Sequence, residues 1–245
     1  MELDKITLQL CSDLRNQRFS APVAYVYNPL QYAWSPHAEY LRRYGQGQRD
    51  IVLVGMNPGP WGMVQTGVPF GDIVMVRDWL GITCQAGKPE IEHPRRRVEG
   101  FGCQRREISG SRLWGWARDT FVTPEQFFKH FFVVNYCPLC FFEAGGGNRT
   151  PDRLGPGERE PLFAACDRAL RAMVSSLRPW LVIGIGRFAE KRAREALAGL
   201  PPLVASVLHP SGANPRASRN WGGQMNTALD TLGVKIGAIH NAMHT

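Results

Sequence analysis

The feature that most constrains the fold is a set of four short runs that are almost entirely apolar and rich in β-branched residues. They occupy residues 51–56 (IVLVGM), 131–135 (FFVVN), 181–186 (LVIGIG) and 203–208 (LVASVL). A strand with one face in water alternates apolar and polar residues, whereas a strand covered on both faces is apolar throughout. The four runs therefore predict buried, parallel strands.

Segments with helical spacing of apolar residues lie before, between and after these runs. Helices of this kind cover both faces of a parallel sheet, and the connections between its strands are right-handed. The sequence thus predicts an α/β fold, a three-layer α/β/α sandwich with a central four-stranded parallel sheet, as one domain over residues 1–245. The predicted helices cover residues 3–15, 72–80, 111–121, 124–128, 160–177, 187–197 and 222–232.

Two long segments have the composition of loops. Residues 85–110 contain Pro, Gly and three consecutive arginines at 95–97, and residues 143–157 contain three glycines at 145–147. Loops of this length in a compact domain are usually functional or mobile. The three arginines are compatible with phosphate contacts, although a solvated charge cluster is the default interpretation of so short a run.

The net charge is compatible with a nucleic-acid partner. Lys and Arg (29) outnumber Asp and Glu (21), so the formal charge is +8, and most of the excess is Arg. Arg suits phosphates and stacks on bases, but a basic protein without such a partner is an equally good explanation of charge alone. No apolar run approaches the ~20 residues that span a bilayer, and the charged start of the chain is unlike a signal peptide. We therefore expect an intracellular protein with no membrane association.

The six cysteines have irregular spacing and do not form the pattern of a disulfide framework. Cys137 and Cys140 make one CxxC pair inside an apolar stretch, with no second pair to complete a metal site. We interpret them as core thiols in a reducing compartment, with zinc as a weaker alternative. No fourfold set suits an iron–sulfur cluster. Neither a metal nor a cofactor is expected.

Ligands of an open parallel sheet bind beyond the carboxyl ends of its strands. Here Asn57 follows the first predicted strand, Asn135 ends the second and His209 follows the fourth. Each alone has a structural explanation, because Asn57-Pro-Gly is typical of a tight turn and the other two suit strand ends. Three polar side chains at one predicted edge together indicate a functional site.

Two glycine-rich segments are compatible with nucleotide binding at first sight. Residues 184–189 (GIGRFA) match a dinucleotide fingerprint, but the next strand leads to His209 and to no acidic residue that could hold a ribose. Close packing of a helix on its strand explains these small residues better. The loop at 55–62 lacks the lysine of a phosphate-binding loop. A bound nucleotide is therefore the weakest of the functional hypotheses.

Longer motifs resemble one known family, the single-strand-selective monofunctional uracil-DNA glycosylases. The resemblance extends from about residue 18 to the last predicted helix. It implies the uracil-DNA glycosylase fold and, in base excision repair, activity on uracil and 5-hydroxymethyluracil. The motifs that carry it are AYVYNPLQYAWSPH (24–37), GMNPGPWGMVQTGVPFG (55–71), MVRDWLG (75–81), SGSRLWGW (109–116), NYCPL (135–139) and HPSGANP (209–215).

The resemblance implies roles for the residues at the predicted edge. Asn57 corresponds to the residue that holds the hydrolytic water, and His209 to the one that stabilises charge on the departing base. Phe70 corresponds to the ring that stacks on the extruded base, and Asn135 to the side chain that reads its polar edge. The remaining substrate-binding residues are expected to be Met56 and Gly59.

Two further segments follow from the same resemblance. Residues 210–221 are similar to the wedge that enters the duplex, in which the expected DNA-binding residues are Ser211, Asn214, Arg216 and Arg219. The wedge has Gly212-Ala213 where vertebrate members have Pro-Arg, and Trp61 replaces a Phe. The glycines at 59, 62 and 67 are expected to let the backbone approach a ligand closely, which leaves room for a substituent at C5 of uracil.

The chemistry of these residues suits hydrolysis without strand cleavage. An Asn amide can donate to uracil O4 and accept from N3–H, and cytosine presents the opposite pattern. A histidine that donates to O2 stabilises the charge of the leaving base. A lyase needs an amine nucleophile, and no lysine falls in the three strand-end motifs. The product is expected to be an abasic site.

Two alternatives remain open at the level of sequence. One is a glycosylase for a deaminated purine, and the other is a protein that binds lesions or abasic sites without turnover. The intact Asn135 disfavours the first, and the retention of both Asn57 and His209 disfavours the second. The expected partner is single- or double-stranded DNA containing uracil or oxidised uracil. The family resemblance also implies a monomer, in the cytoplasm or nucleoid of a bacterium or the nucleus of a eukaryote.

Overall fold

The computed structural model describes residues 2–212, 217 and 219–235. In this part of the chain the strands are β1 (Val23–Tyr27), β2 (Ile51–Gly55), β3 (Phe131–Asn135), β4 (Cys140–Glu143), β5 (Asn148–Arg149), β6 (Leu181–Ile185) and β7 (Leu203–Val207). The order β3-β2-β6-β7 forms a parallel sheet. These four strands coincide with the four predicted runs. The predicted α/β sandwich around a four-stranded parallel sheet is confirmed.

Burial explains why the runs are apolar. The central strands β2 and β6 are buried along their whole length. The prediction of burial was wrong for β7, where only Val207 is buried, because this strand lies at the edge of the sheet. In the sheet Leu53 lies opposite Val133 on one side and Ile183 on the other. The same register sets Gly55 opposite Asn135, so β2 and β3 end at the same level.

Helices flank the sheet. They are α1 (Glu2–Leu14), α2 (Pro29–Tyr32), α3 (Trp34–Tyr44), α4 (Met63–Thr66), α5 (Ile108–Phe121), α6 (Pro124–His130), α7 (Pro156–Leu177), α8 (Arg187–Ala196) and α9 (Trp221–Thr231). The prediction of a helix over 72–80 was only partly right, because the segment forms a short π-helix at Met75–Trp79. The start of α7 was placed four residues too late. Pro156 suits its first turn, and the Glu158 side chain accepts a hydrogen bond from the Gly155 N–H.

A second, smaller sheet was absent from the prediction. It is antiparallel, with the order β1-β4-β5, and β5 lies inside the segment 143–157 that was predicted to be a loop. Some of its side chains form a separate small cluster with Val64 and Val98, in which Tyr27 packs edge-on against Phe142. β4 has four residues and β5 has two, so their sequences are too short to show a clear alternation of apolar and polar residues. This sheet brings Asn148 and Thr150 to the carboxyl edge of the parallel sheet.

The arginine run at 95–97 packs on that second sheet. Arg95 donates a hydrogen bond to the Gly145 carbonyl, and the Arg96 Nε donates to the Gly146 carbonyl at 2.8 Å. His93 also contacts this turn, because its Nε2 lies 3.1 Å from the Ala144 oxygen. The two predicted loops are therefore joined to each other through Arg95 and Arg96, while Arg95 and Arg97 are exposed to solvent.

The small residues of the GIGRFA segment serve helix packing, as predicted. A Cβ atom on Gly184 would lie 2.2 Å from the backbone nitrogen of Glu190 in α8. All six cysteines are unpaired thiols, and five of them are buried. Among the described residues, no group of three or more His, Cys, Asp or Glu side chains is arranged to hold a metal ion. Within the same residues, no helix has the length and apolar character needed to cross a membrane.

A buried histidine supports the loop that leads from α4 to Phe70. The Nδ1–H of His37 donates to the carbonyl of Gly67 at 2.8 Å. Burial lowers the pKa of His37 from 6.5 to about 4, because the apolar surroundings disfavour the imidazolium. The folded protein therefore holds this ring neutral in the pH range where the unfolded chain would protonate it.

This difference in pKa predicts a loss of stability in mild acid. The contribution is fully present above pH 6.5, and it is lost as the pH falls from 6.5 to about 4. A shift of this size corresponds to about 3 kcal/mol of unfolding free energy. Urea unfolding at a series of pH values should show that His37→Gln loses correspondingly less stability over this range than the wild type. Equal losses in both proteins would contradict the assignment.

Candidate active site

The carboxyl edge of the parallel sheet carries a cavity of about 380 Å³. Asn57, Asn135 and His209 all line it, so the structure brings together the three polar residues that the strand ends predicted. The predicted substrate and DNA contacts Met56, Gly59, Phe70 and Ser211 line it as well. The cavity is therefore the predicted site, assembled from the ends of β2, β3 and β7.

Asn57 is fixed by a backbone hydrogen bond. The segment after β3 continues to pair with the segment after β2, since the N–H of Cys137 donates to the carbonyl of Met56 at 2.9 Å. This pairing brings Leu139 close to Asn57, whose Nδ2 donates to the Leu139 carbonyl at 3.1 Å. The amide nitrogen is thus used by the protein, and Oδ1 remains as the acceptor of the side chain.

Phe70 and Asn135 meet above Gly55. A Cβ atom at position 55 would lie 2.4 Å from Asn135 Oδ1 and 2.6 Å from the Phe70 ring. Any side chain at this position would displace both groups, so the glycine permits the ring and the amide to occupy one corner of the cavity. The Nδ2 of Asn135 lies 3.3 Å from the sulfur of Met63. Because a thioether is a weak acceptor, this nitrogen remains available to a ligand.

The loop that carries Phe70 has a strained backbone. Phe70 has a φ of 53°, which is uncommon for a residue with a Cβ. Its carbonyl accepts a hydrogen bond from the N–H of Asp72 at 2.7 Å, and the indole of Trp114 donates to Pro69 at 3.2 Å. These contacts hold the turn in place, and strain of this kind is common where a side chain must be presented to a ligand.

His209 lies on the opposite wall and faces Phe70. The two ring centroids are 6.4 Å apart. Gly186, with a φ of 91°, lies beneath His209, and a Cβ there would be 3.3 Å from the His209 Cβ. Burial lowers the pKa of the His209 imidazole, so the ring is neutral at pH 7. A neutral imidazole in this position offers one N–H donor to whatever occupies the cavity.

The cavity wall contains a carboxylate that was absent from the predicted site. Glu107, at the start of α5, lines the cavity, and its side chain packs on the loop after β2. Cβ atoms on Gly59 and Gly62 would lie 2.4 Å and 2.8 Å from Glu107 side-chain atoms. Burial raises the pKa of the Glu107 carboxyl, and Asp72 raises it further. The lack of a Cβ at Gly59 and Gly62 thus accommodates Glu107, and the expectation that these glycines let a ligand approach the backbone stays a prediction.

Gly67 likewise packs closely against another part of the protein. A Cβ there would lie 2.6 Å from the carbonyl oxygen of Ala33. Other lining residues that were missed are Ser109, Asn148 and Thr150. All of them come from the two segments predicted to be loops. The signals that pointed to them were the unusual length of these segments, which is typical of functional loops, and, for Ser109, the motif at 109–116.

The predicted DNA-contacting segment begins at the cavity. Arg112 of α5 donates hydrogen bonds to the carbonyls of Pro210 and Ser211, at 3.0 Å and 2.8 Å. The end of the segment is held to the sheet because the indole of Trp221 donates to Leu208 at 2.7 Å. Arg219 is exposed beside the start of α9 and does not line the cavity. Asn214 and Arg216 lie outside the described residues.

The fold and this site define a member of the uracil-DNA glycosylase class. The family profile of the Uracil DNA glycosylase superfamily matches residues 42–232, and the chain belongs to that superfamily. The fold is also shared with the crystal structure of wild-type SMUG2 from Pedobacter heparinus, with a TM-score of 0.65. The match covers 94% of this chain and 99% of the SMUG2 chain, and the sequence identity is 16%.

The sequence comparison places the chain more narrowly. It is 47% identical over 229 residues to the single-strand selective monofunctional uracil-DNA glycosylase of Rattus norvegicus, covering 93% of this chain and 82% of that protein. The identity to the Bos taurus protein of the same name is also 47%, over 84% of its length. The chain is a member of this family, which confirms the resemblance found in its motifs.

The lowered pKa of His209 can be measured directly. An NMR titration of the imidazole signals, assigned with His209→Gln, should give a pKa below 6.5 for this ring, because burial disfavours its charged form. In denaturant the same signal should return to the ordinary value. A pKa at or above 6.5 in the folded protein would show that the ring is solvated or paired with an acid, and that it is not held neutral.

Proposed function

We propose that this protein excises uracil from DNA as a monofunctional glycosylase of base excision repair, by hydrolysis of the N-glycosidic bond. The observation that carries the proposal is the cavity in which Asn57, Phe70, Asn135 and His209 face one another. The printed names of the relatives, which are uracil-DNA glycosylases, support the same activity.

Recognition of the base would depend on Phe70 and Asn135, which lie together next to Gly55. An extruded uracil would stack on Phe70, while the Asn135 amide donates to O4 and accepts from N3–H. Cytosine has a donor where uracil has O4 and an acceptor where uracil has N3–H, so two hydrogen bonds would become repulsive contacts. A site that leaves buried polar groups unpaired rejects the wrong ligand strongly.

His209 would stabilise the leaving base. Cleavage of the glycosidic bond places negative charge on uracil, and a neutral imidazole can donate its N–H to O2 as that charge develops. Donors of this type act by being in place before the reaction, and removal of one costs about 10²–10³ in rate. The lowered pKa of His209 indicates that such a donor would be a neutral N–H and not an imidazolium.

Asn57 would position the water. Its Nδ2 is engaged by the Leu139 carbonyl, which leaves Oδ1 to accept a hydrogen bond from a water molecule. An amide has no useful basicity at neutral pH, so the water would attack a sugar that already has strong cationic character. Glu107 would act as a positioning residue, because it packs against Gly59 and Gly62 and holds the loop that begins with Asn57.

A hydrolase without lyase activity fits the residues around the cavity. A lyase requires an amine that forms a Schiff base, and lysine is absent from the described residues that line the cavity. We further propose that the protein works as a monomer inside the cell, on single- and double-stranded DNA, and that oxidised uracils such as 5-hydroxymethyluracil are substrates as well as uracil.

The assay that tests the proposal uses a labelled oligonucleotide with one uracil, in single- and double-stranded form, with and without alkali. We expect cleavage only after alkali, since the product is an abasic site. Asn57→Ala and His209→Ala should each lower the single-turnover rate by about 10²–10³, because each removes a group that contacts the reacting atoms.

The controls in this assay separate the competing functions. An oligonucleotide with hypoxanthine in place of uracil tests the purine alternative, and a gel shift on an abasic site tests binding without turnover. If the wild type releases no uracil from either form of DNA, the proposed function fails. Strand cleavage without alkali would instead contradict the monofunctional mechanism.

Gly186→Ala tests the packing beneath His209. The added methyl group would press on the histidine, and we expect the excision rate to fall about tenfold to a hundredfold, as for other small displacements of a catalytic group. Gly199→Ala is the matched control, since Gly199 also has a positive φ of 80° but has nothing within 4 Å of its added Cβ. An equal loss of rate in both variants would attribute the effect to backbone strain and contradict the packing argument.

A further inference from the structure

Two arginines converge on Trp61, in the loop between β2 and α4. The guanidinium carbon of Arg105 lies 4.5 Å from the centroid of the Trp61 ring, and that of Arg96 lies 5.2 Å from it. The two cations are therefore within about 10 Å of each other, which is the distance over which charges interact in dilute salt. The indole attracts each of them, but it does not neutralise their charge.

Neither cation has an acidic partner in the described part of the chain. No described carboxylate lies within 4.0 Å of Arg96 or Arg105. The contrast with Arg192 is informative, because that side chain stacks on Tyr136 and Phe163 and is also paired with the carboxylates of Asp167 and Glu195. The charge of Arg192 is therefore neutralised by carboxylates, whereas no described carboxylate neutralises the two arginines on Trp61.

The position of each arginine is set by the fold. Asp72, which is completely buried, binds the guanidinium of Arg106 at 2.8 Å and fixes the segment that contains Arg105. The buried amide of Gln65 donates to the carbonyls of Pro60 and Arg97, at 3.1 Å and 3.0 Å. The loop that carries Trp61 is thereby joined to the loop that carries Arg96. The three side chains form a preorganised cluster, here called the Trp61 cluster.

The Trp61 cluster lies beside the active-site cavity. Pro60, the neighbour of Trp61, lines the cavity together with Asn57. Arg96 contacts the turn at Gly146 that leads into Asn148, another residue of the cavity wall. Trp61 is partly exposed and Arg105 is exposed. The Trp61 cluster therefore adjoins the cavity wall at two points, through Pro60 and through the turn that precedes Asn148.

We propose that Arg96 and Arg105, held over the Trp61 ring, bind backbone phosphates of the DNA strand next to the extruded nucleotide. This inference rests on the proposed function, because it assumes that a nucleotide of DNA occupies the cavity. Two uncompensated guanidinium groups in a fixed arrangement suit phosphates, which accept hydrogen bonds from their planar edges. Such contacts do not depend on a second strand, so the cluster supplies affinity for single-stranded DNA.

The test is the salt dependence of binding to a single-stranded oligonucleotide that carries a tetrahydrofuran abasic-site analogue, which cannot be cleaved. Each phosphate contact on a single strand contributes about 0.7 to the slope of log affinity against log salt. We expect Arg105→Gln to reduce the steepness by about 0.7, and Arg96→Gln/Arg105→Gln to reduce it by about 1.4. For Arg105→Gln the single-turnover excision rate at saturating protein should stay within about twofold of the wild type, since Arg105 contacts no reacting atom.

Arg178→Gln is the matched control. Arg178 is exposed and ends α7, just before the start of β6, so it lies at the edge of the sheet opposite the cavity. This variant removes the same charge and should leave the slope unchanged. If it lowers the slope as much as Arg105→Gln does, the effect is one of net charge and the proposal is wrong.

Trp61→Leu distinguishes phosphate binding from stacking of a base on the indole. We expect it to weaken binding modestly while the slope is retained, because both cations remain. If it weakens binding more than Arg96→Gln/Arg105→Gln does, and the arginine variants keep the wild-type slope, then a base stacks on Trp61 and the phosphate proposal is overturned. Uracil excision by the wild type, measured in parallel, shows whether the proposed function itself holds.

Discussion

The active site depends on the absence of a side chain at the end of β2. Gly55 lies opposite Asn135 in the sheet, and both the Asn135 amide and the Phe70 ring occupy the space that a Cβ would fill. The parallel register therefore does more than build the core. It brings the two groups that would hold a base to the same level at the carboxyl edge, where ligands of open sheets bind.

On the opposite wall of the cavity a glycine also makes room for a functional side chain. Gly186 ends the neighbouring strand with a backbone conformation that favours glycine, and His209 packs on it. Burial of the imidazole then lowers its pKa, so the geometry of the sheet edge also determines the charge of the catalytic candidate. Asn57 is held through its nitrogen by a backbone carbonyl, and its Oδ1 remains as an acceptor. Sheet geometry thus sets the hydrogen-bonding role of each group.

Charge is distributed unevenly around this site. The described cavity wall contains one carboxylate, Glu107, which burial favours in its neutral form, and it holds the loop of Asn57 in place. Just outside, Arg96 and Arg105 carry uncompensated positive charge on Trp61. A neutral base would thus meet hydrogen-bonding groups inside the cavity, and the charged backbone of its strand would meet cations outside. This separation suits a ligand with an uncharged part that forms hydrogen bonds in the cavity and a charged part that binds the cations outside.

The sequence by itself determined the four parallel strands, most of the longer helices and the three polar residues at the sheet edge. These follow from local patterns, because burial on both faces leaves an apolar run and the residue after a strand must lie at the sheet's end. Only the tertiary structure decided that β1, β4 and β5 form a second sheet, that Glu107 and Asn148 reach the cavity, and that Arg96 meets Arg105 on one ring. Those contacts join residues far apart in the chain, often through loops. Their positions are set by hydrogen bonds such as those of Gln65 and Asp72, which no local periodicity records.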